Sequence, residues 1–227
     1  MTSHAEGDVS LREGVIEKVL QKKVIAIVRG LYGENVIKLA EALFTGGIEM
    51  IEITFDQSRP EIHAATVEAV RLLNERMDGR MLIGVGTVTS VAMVESAHAA
   101  GARYIVSPNV EPNVIRRTVE LGLVSMPGAL SPTEIMAAHN AGADFVKLFP
   151  AAQLGPDYIK AVRAPCNHIP LLAVGGVNER NAKDYLAAGC VGVGVGGNLV
   201  NKDWIAEGAF DRISALAREY AEIAGLV

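Results

Sequence analysis

Short apolar runs, each closed by a glycine or proline, alternate along this chain with longer segments whose apolar positions recur every three or four residues. The runs read as buried strands and the longer segments as amphipathic helices. A helical segment over 11–22 comes first, with Leu11, Val15, Ile16, Val19 and Leu20 on its period. Strands are then predicted at 24–28, 50–55, 82–85, 104–106, 124–126, 145–149, 171–174 and 191–195. The polar punctuation between them places the helices. Asn35 is an N-cap for a helix ending at Gly46-Gly47, and Pro60 sits in a first helical turn. Ser90 caps a helix ending before Gly101, Ser131-Pro132-Thr133-Glu134 spells a capping box, and Asn178 caps a helix closing at Gly189. Further helices are predicted over 113–121, 156–162 and 205–224.

Eight strands, each followed by a helix through a short connection, imply a parallel sheet with right-handed crossovers. Eight such units in one chain correspond to a closed (β/α)₈ barrel, the TIM-barrel fold, with an extra N-terminal helix. An open doubly wound sheet would use fewer strands, and no Gly-x-Gly-x-x-Gly follows the first one. No linker or composition shift divides the 227 residues, so a single domain is expected over 1–227, with a flexible stretch over 1–10.

Composition narrows the partners. Half of the residues are apolar and the net charge is -5, which speaks against a nucleic-acid or membrane-surface partner. Cys166 and Cys190 are far apart and, like the five histidines, match no metal-ligand spacing, so no metal is expected and a reducing, cytoplasmic setting is. The first ten residues lack the apolar core of a signal peptide.

One residue breaks the apolar pattern. Lys147 lies inside the run 145–149, where desolvation depresses a lysine's pKa and leaves a neutral amine able to form a Schiff base with a carbonyl. The competing reading is a strand-end lysine that snorkels to solvent. In a barrel the active site lies at the C-terminal ends of the strands. Arg29, Glu52, Thr54, Thr87 and Pro108 fall at those ends, and Gly175-Gly176 and Gly196-Gly197 follow the last two strands. A carboxylate, a cation and hydroxyls around an apolar-run lysine are not a core-packing choice. Glu52 could still be a purely structural partner of the lysine. The glycine pairs suit backbone N–H contacts to a phosphate, although tight βα turns also favour glycine.

Gly142-x-x-x-Val146-Lys147-Leu148-Phe149-Pro150-Ala151-x-x-x-Gly155 resembles the Schiff-base motif of the aldolases that cleave 2-keto-3-deoxy-6-phosphogluconate (KDPG) and 4-hydroxy-2-oxoglutarate (KHG). Gly47-x-x-x-x-Glu52-Ile53-Thr54-Phe55 resembles that family's glutamate motif, and Gly84-x-Gly86-Thr87-Val88, Ser107-Pro108-Asn109 and Val174-Gly175-Gly176-Val177 follow its pattern. The stretch from Gly155 to Ala161 looks like the galactonate branch. The resemblance implies a cofactor-independent class I aldolase acting on a 2-keto acid, with Lys147 as nucleophile and Glu52 as proton shuttle. It also implies that Thr87 and Arg29 hold the substrate, that Pro108 and Phe149 wall the pocket, and that the assembly is a homotrimer. The chain departs from the pattern at Asp56, where an arginine is usual, and at Val174 and Gly197, where hydroxyl residues are common. A phosphate-binding isomerase or epimerase, or a non-catalytic ligand-binding barrel, are the competing functions.

Overall fold

The computed structural model describes residues 3–226, with side chains from Leu11 onward. Nine strands form one parallel sheet: β1 Val24–Arg29, β2 Met50–Thr54, β3 Leu82–Gly86, β4 Tyr104–Val106, β5 Val124–Met126, β6 Gly128–Ala129, β7 Val146–Leu148, β8 Leu171–Val174 and β9 Gly192–Val195. Their order is β5-β4-β3-β2-β1-β9-β8-β7-β6. The two outer members, β5 and β6, are separated only by Pro127, so they are halves of one stave. Pro127 has no N–H to give the ladder. Its carbonyl nevertheless accepts from the Lys147 N–H at 2.8 Å, and the Ser125 carbonyl accepts from the Phe145 N–H at 3.2 Å. Those two bonds join β5 to the β7 side, and the sheet closes into the eight-stave barrel expected from the alternation.

Among the described residues ten α-helices surround it: α1 Ser3–Lys22, α2 Glu34–Thr45, α3 His63–Met77, α4 Val91–Ala99, α5 Pro112–Glu120, α6 Pro132–Asn140, α7 Gly155–Arg163, α8 Ala182–Ala187, α9 Lys202–Ala206 and α10 Phe210–Ile223. The helix α1 starts eight residues ahead of the predicted Leu11. The expectation of flexibility over 1–10 concerns residues whose side chains lie outside the described ones. The predicted caps at Ser90 and Ser131 are present; Ser131 and Glu134 form the full capping box.

Three local expectations are corrected. The N-cap of α2 is Gly33, at φ 62, and not Asn35. α8 begins after Asn181. Asn178 instead builds the preceding loop, its N–H donating to Asn181 Oδ1 at 2.7 Å and its Oδ1 accepting from the Arg180 N–H at 3.0 Å. The single last helix is two, because Gly208 at φ 72 takes a left-handed conformation that costs other residues energy.

Apolar packing has two parts. The outer layer lies between strands and helices, and a second cluster fills the barrel with Ile25, Ile27, Met50, Tyr104, Val106, Val124, Met126, Phe145, Leu172 and Val174. Val15 and Val19 of α1 join that inner cluster, so α1 covers the N-terminal end of the barrel. Among the described residues, no helix is long and apolar enough to cross a membrane.

Candidate active site

Side chains on a strand alternate between faces, so Glu52 and Thr54 of β2 point inward with Met50, and Lys147 of β7 points inward with Phe145. The next strand makes room for them. The inward positions of β3 include Gly84 and Gly86, and a Cβ at Gly86 would lie 1.7 Å from Glu52 Oε1. A glycine is therefore what admits the glutamate. A Cβ at Gly84 would lie 2.1 Å from the Tyr104 ring, so that ring fills the neighbouring hollow.

Glu52 is 2 % exposed and Lys147 4 %. Lys147 does not snorkel. Neither forms an ion pair among the described residues, and Glu52 Oε1 has no hydrogen-bond partner. Loss of hydration raises the Glu52 pKa above the usual carboxylate range, with the Lys147 and Arg29 cations opposing. Burial likewise lowers the Lys147 pKa; Glu52 opposes that shift and Arg29 adds to it. Both shifts favour an uncharged pair, a free amine beside a protonated carboxyl. Lys147 Nζ stands 4.9 Å from the centroid of the Phe149 ring, which walls the space above it.

The mouth is lined by three adjoining cavities of about 360, 350 and 340 Å³, and Arg29 borders all three. Arg29 donates from Nη1 to Thr87 Oγ1 at 3.3 Å. Thr87 holds a left-handed φ of 58, a strained state for a β-branched residue, and its carbonyl accepts from Gln57 Nε2 at 2.7 Å. Thr54, also in the first cavity, donates its hydroxyl to the Val28 carbonyl at 3.1 Å. Asp56 accepts from the Ser58 hydroxyl and N–H and from Arg59 Nε at 2.9 Å, which hold its carboxyl down to about 2. Arg59 is thus engaged by Asp56, while Arg29 faces the opening.

Gly175, Gly176, Gly196 and Gly197 line the second cavity with Phe149 and Val174. Their reasons differ. Gly175 and Gly176 have φ of 93 and 77, and a Cβ on Gly176 would meet the Ala152 Cβ at 2.3 Å. At Gly196 and Gly197 an added Cβ would meet nothing within 4 Å, so local packing does not require glycine there. Pro108 is exposed and borders none of the three cavities; its carbonyl packs against Gly128. Sequence reasoning missed Lys202, which borders two cavities, Arg180 and Asn198, which border the second, and Gln57. Lys202 is the first residue of α9, capped by Asn201 after the last strand; the predicted helix began only at 205, so Lys202 lay outside every predicted element.

The model of the family described as "Aldolase: KDPG and KHG aldolase" matches residues 15–216. A probable 2-dehydro-3-deoxy-6-phosphogalactonate aldolase of Rhizobium meliloti is 39% identical over 91% of this chain and 95% of its own length. A 2-dehydro-3-deoxy-phosphogluconate aldolase of Treponema pallidum is 34% identical over 94% of this chain and 99% of its own. Among solved structures, the KDPG aldolase of Legionella pneumophila, captured with pyruvate as a covalent carbinolamine intermediate, superposes with a TM-score of 0.78 at 27% identity. It covers 93% of this chain and 96% of that one. A buried lysine and glutamate inside a closed parallel barrel, and matches over nearly the whole length, lead to one conclusion: this chain belongs to the KDPG and KHG aldolase family.

Proposed function

We propose that this chain is a class I aldolase that cleaves a 2-keto-3-deoxy sugar-acid phosphate to pyruvate and an aldehyde phosphate through a Schiff base on Lys147. The observation that carries the reading is the unpaired, buried Lys147–Glu52 couple beneath the cationic mouth at Arg29. The Lys147 amine adds to the C2 ketone to give a carbinolamine. Glu52, protonated at rest, gives its proton to the departing hydroxyl, water leaves and the iminium forms. Now a carboxylate, Glu52 takes the proton of the C4 hydroxyl. The C3–C4 bond breaks, its electron pair enters the iminium as an enamine, and the aldehyde departs. Protonation at C3 and hydrolysis then release pyruvate. The protonation state that burial favours is the one the first step needs, and the first step leaves the one the second step needs.

Arg29 is the carboxylate anchor in this reading. The open backbone at Gly196 and Gly197 supports a phosphate at the second cavity. The match to a relative named for the galactonate substrate supports that epimer, and 4-hydroxy-2-oxoglutarate is the shorter alternative. A homotrimer and a cytoplasmic setting, the expectations above, belong to the same proposal. Borohydride with pyruvate should add a reduced pyruvyl group to Lys147; an isomerase or epimerase on this barrel would take up none.

Arg29→Ala is expected to raise KM roughly 10–100-fold, the loss of one charge-assisted pair, and to leave kcat within a few-fold. The increase should be similar for phosphorylated and unphosphorylated 2-keto acids. A much larger increase for the phosphorylated substrate alone would move Arg29 to the phosphate.

A further inference from the structure

We propose that Tyr104 is a positioning residue for Glu52, its buried hydroxyl and the Glu52 carboxyl sharing one water in the floor of the site. The proposal rests on the aldolase reading above and adds a residue that the reading does not use.

Three adjacent staves carry the observation. Glu52 of β2 is in register with Gly84 of β3, and Gly84 with Tyr104 of β4. Because Gly84 has no side chain, nothing stands between the two inward groups. The Tyr104 ring lies over the bare Gly84 backbone, and the Glu52 carboxyl lies over Gly86. Tyr104 is fully buried, and its hydroxyl has no hydrogen-bond partner among the described residues; Glu52 Oε1 is in the same position. Two orphaned buried polar atoms in one barrel interior are rare, because each carries a desolvation cost that a partner would relieve. A phenylalanine would fill the Gly84 hollow equally well without that cost, so packing does not account for the hydroxyl.

The hollows at 84 and 86 are two residues apart, about 6.6 Å along a strand rising ~3.3 Å per residue. That spacing separates the two hollows; no direct bond joins the Tyr104 hydroxyl to Glu52 Oε1, and one water making two ordinary bonds of about 2.8 Å bridges oxygens up to about 5.6 Å apart. Lys147 from β7 and Arg29 from β1 are the charged groups acting on Glu52, and Tyr104 approaches from β4. Burial, and then the Glu52 charge, keep the phenol protonated and hence a donor. Through the water it stabilises the carboxylate that Glu52 becomes after the first proton transfer, and it leaves the other carboxyl oxygen for substrate.

Tyr104→Phe in the full chain tests this. It keeps the ring in its hollow and removes the donor. Pyruvate trapping on Lys147 should be unchanged and KM should stay within about twofold, while kcat falls roughly 5–30-fold. The acid limb of kcat should move up by about 0.5–1 pH unit, since a donor to the charged form has gone. In a Glu52→Gln background the same change should cost nothing further. An unchanged kcat and acid limb, or an equal loss in the Glu52→Gln background, would overturn the proposal. Absence of trapping in the unaltered protein would instead overturn the aldolase reading. If Tyr104→Phe melts early, 3-fluorotyrosine at 104, a stronger donor, must lower the acid limb; an unmoved limb would overturn the proposal.

Discussion

Lys147→Arg is expected to be inactive, without detectable pyruvate release and without a borohydride-trapped adduct. The reason is the size of the unprotonated fraction. A guanidinium stays protonated far above neutral pH, so at pH 7 roughly one molecule in 10⁶ or fewer would present a free base, and the barrel interior cannot close that gap. The lysine starts from a lower pKa and is pushed further down by burial and by Arg29. A permanent cation in a site that is 4 % exposed also strains the fold. Lys147→Met separates the two effects: it removes the amine, fills similar volume and imposes no charge. It should be as inactive as the arginine variant and melt at or above the wild-type temperature. Turnover in either variant, measured by coupled pyruvate release, would remove Lys147 from the chemistry.

Glu52→Gln should reduce kcat by roughly 10²–10⁴-fold, the range for a positioned acid–base group, while slow Schiff-base formation with pyruvate persists. The amide is near in shape and fits the Gly86 hollow, so the loss reports protons rather than packing. In the unaltered protein kcat should fall as pH drops through the Glu52 pKa, because bond cleavage needs the carboxylate. Desolvation raises the Glu52 pKa at rest, and the iminium cation beside it in the complex lowers it again, so the limb lies below the pH at which the resting carboxyl ionises. Glu52→Gln should abolish the limb. A variant of near wild-type rate, or one retaining the limb, would make Glu52 a structural neighbour of Lys147.

Much of this was legible in the order of residues, for local reasons. The staves are short apolar runs closed by glycine or proline, and Ser131 with Glu134 announces its helix by a motif four residues long. Lys147 and Glu52 were visible as polar residues where the pattern requires apolar ones. The remainder depends on register between distant segments. Nothing near Gly86 in the chain says that its missing side chain makes room for Glu52, or that Gly84 does so for Tyr104; the pairing of β2, β3 and β4 decides it. Asn35 and Asn178 were fair caps by composition. They lost to Gly33 and Asn181, whose backbones the surrounding loops had already set. Lys202 escaped notice because the last helix was predicted to start at 205, three residues after α9 begins.

Val15 and Val19 of α1, packed into the inner cluster, cover the N-terminal end of the barrel, so substrate and products pass through the mouth at Arg29. Traffic through that mouth forms a queue. The water expelled when the iminium forms must pass the substrate on its way out, and the hydrolytic water can reach the enamine-derived imine only after the aldehyde has vacated the passage. Product departure is therefore sequential by construction, aldehyde first and pyruvate last. Steady-state inhibition should carry that signature, with pyruvate competing against the substrate for the empty enzyme and the aldehyde phosphate, which meets an enzyme still holding pyruvate, acting noncompetitively.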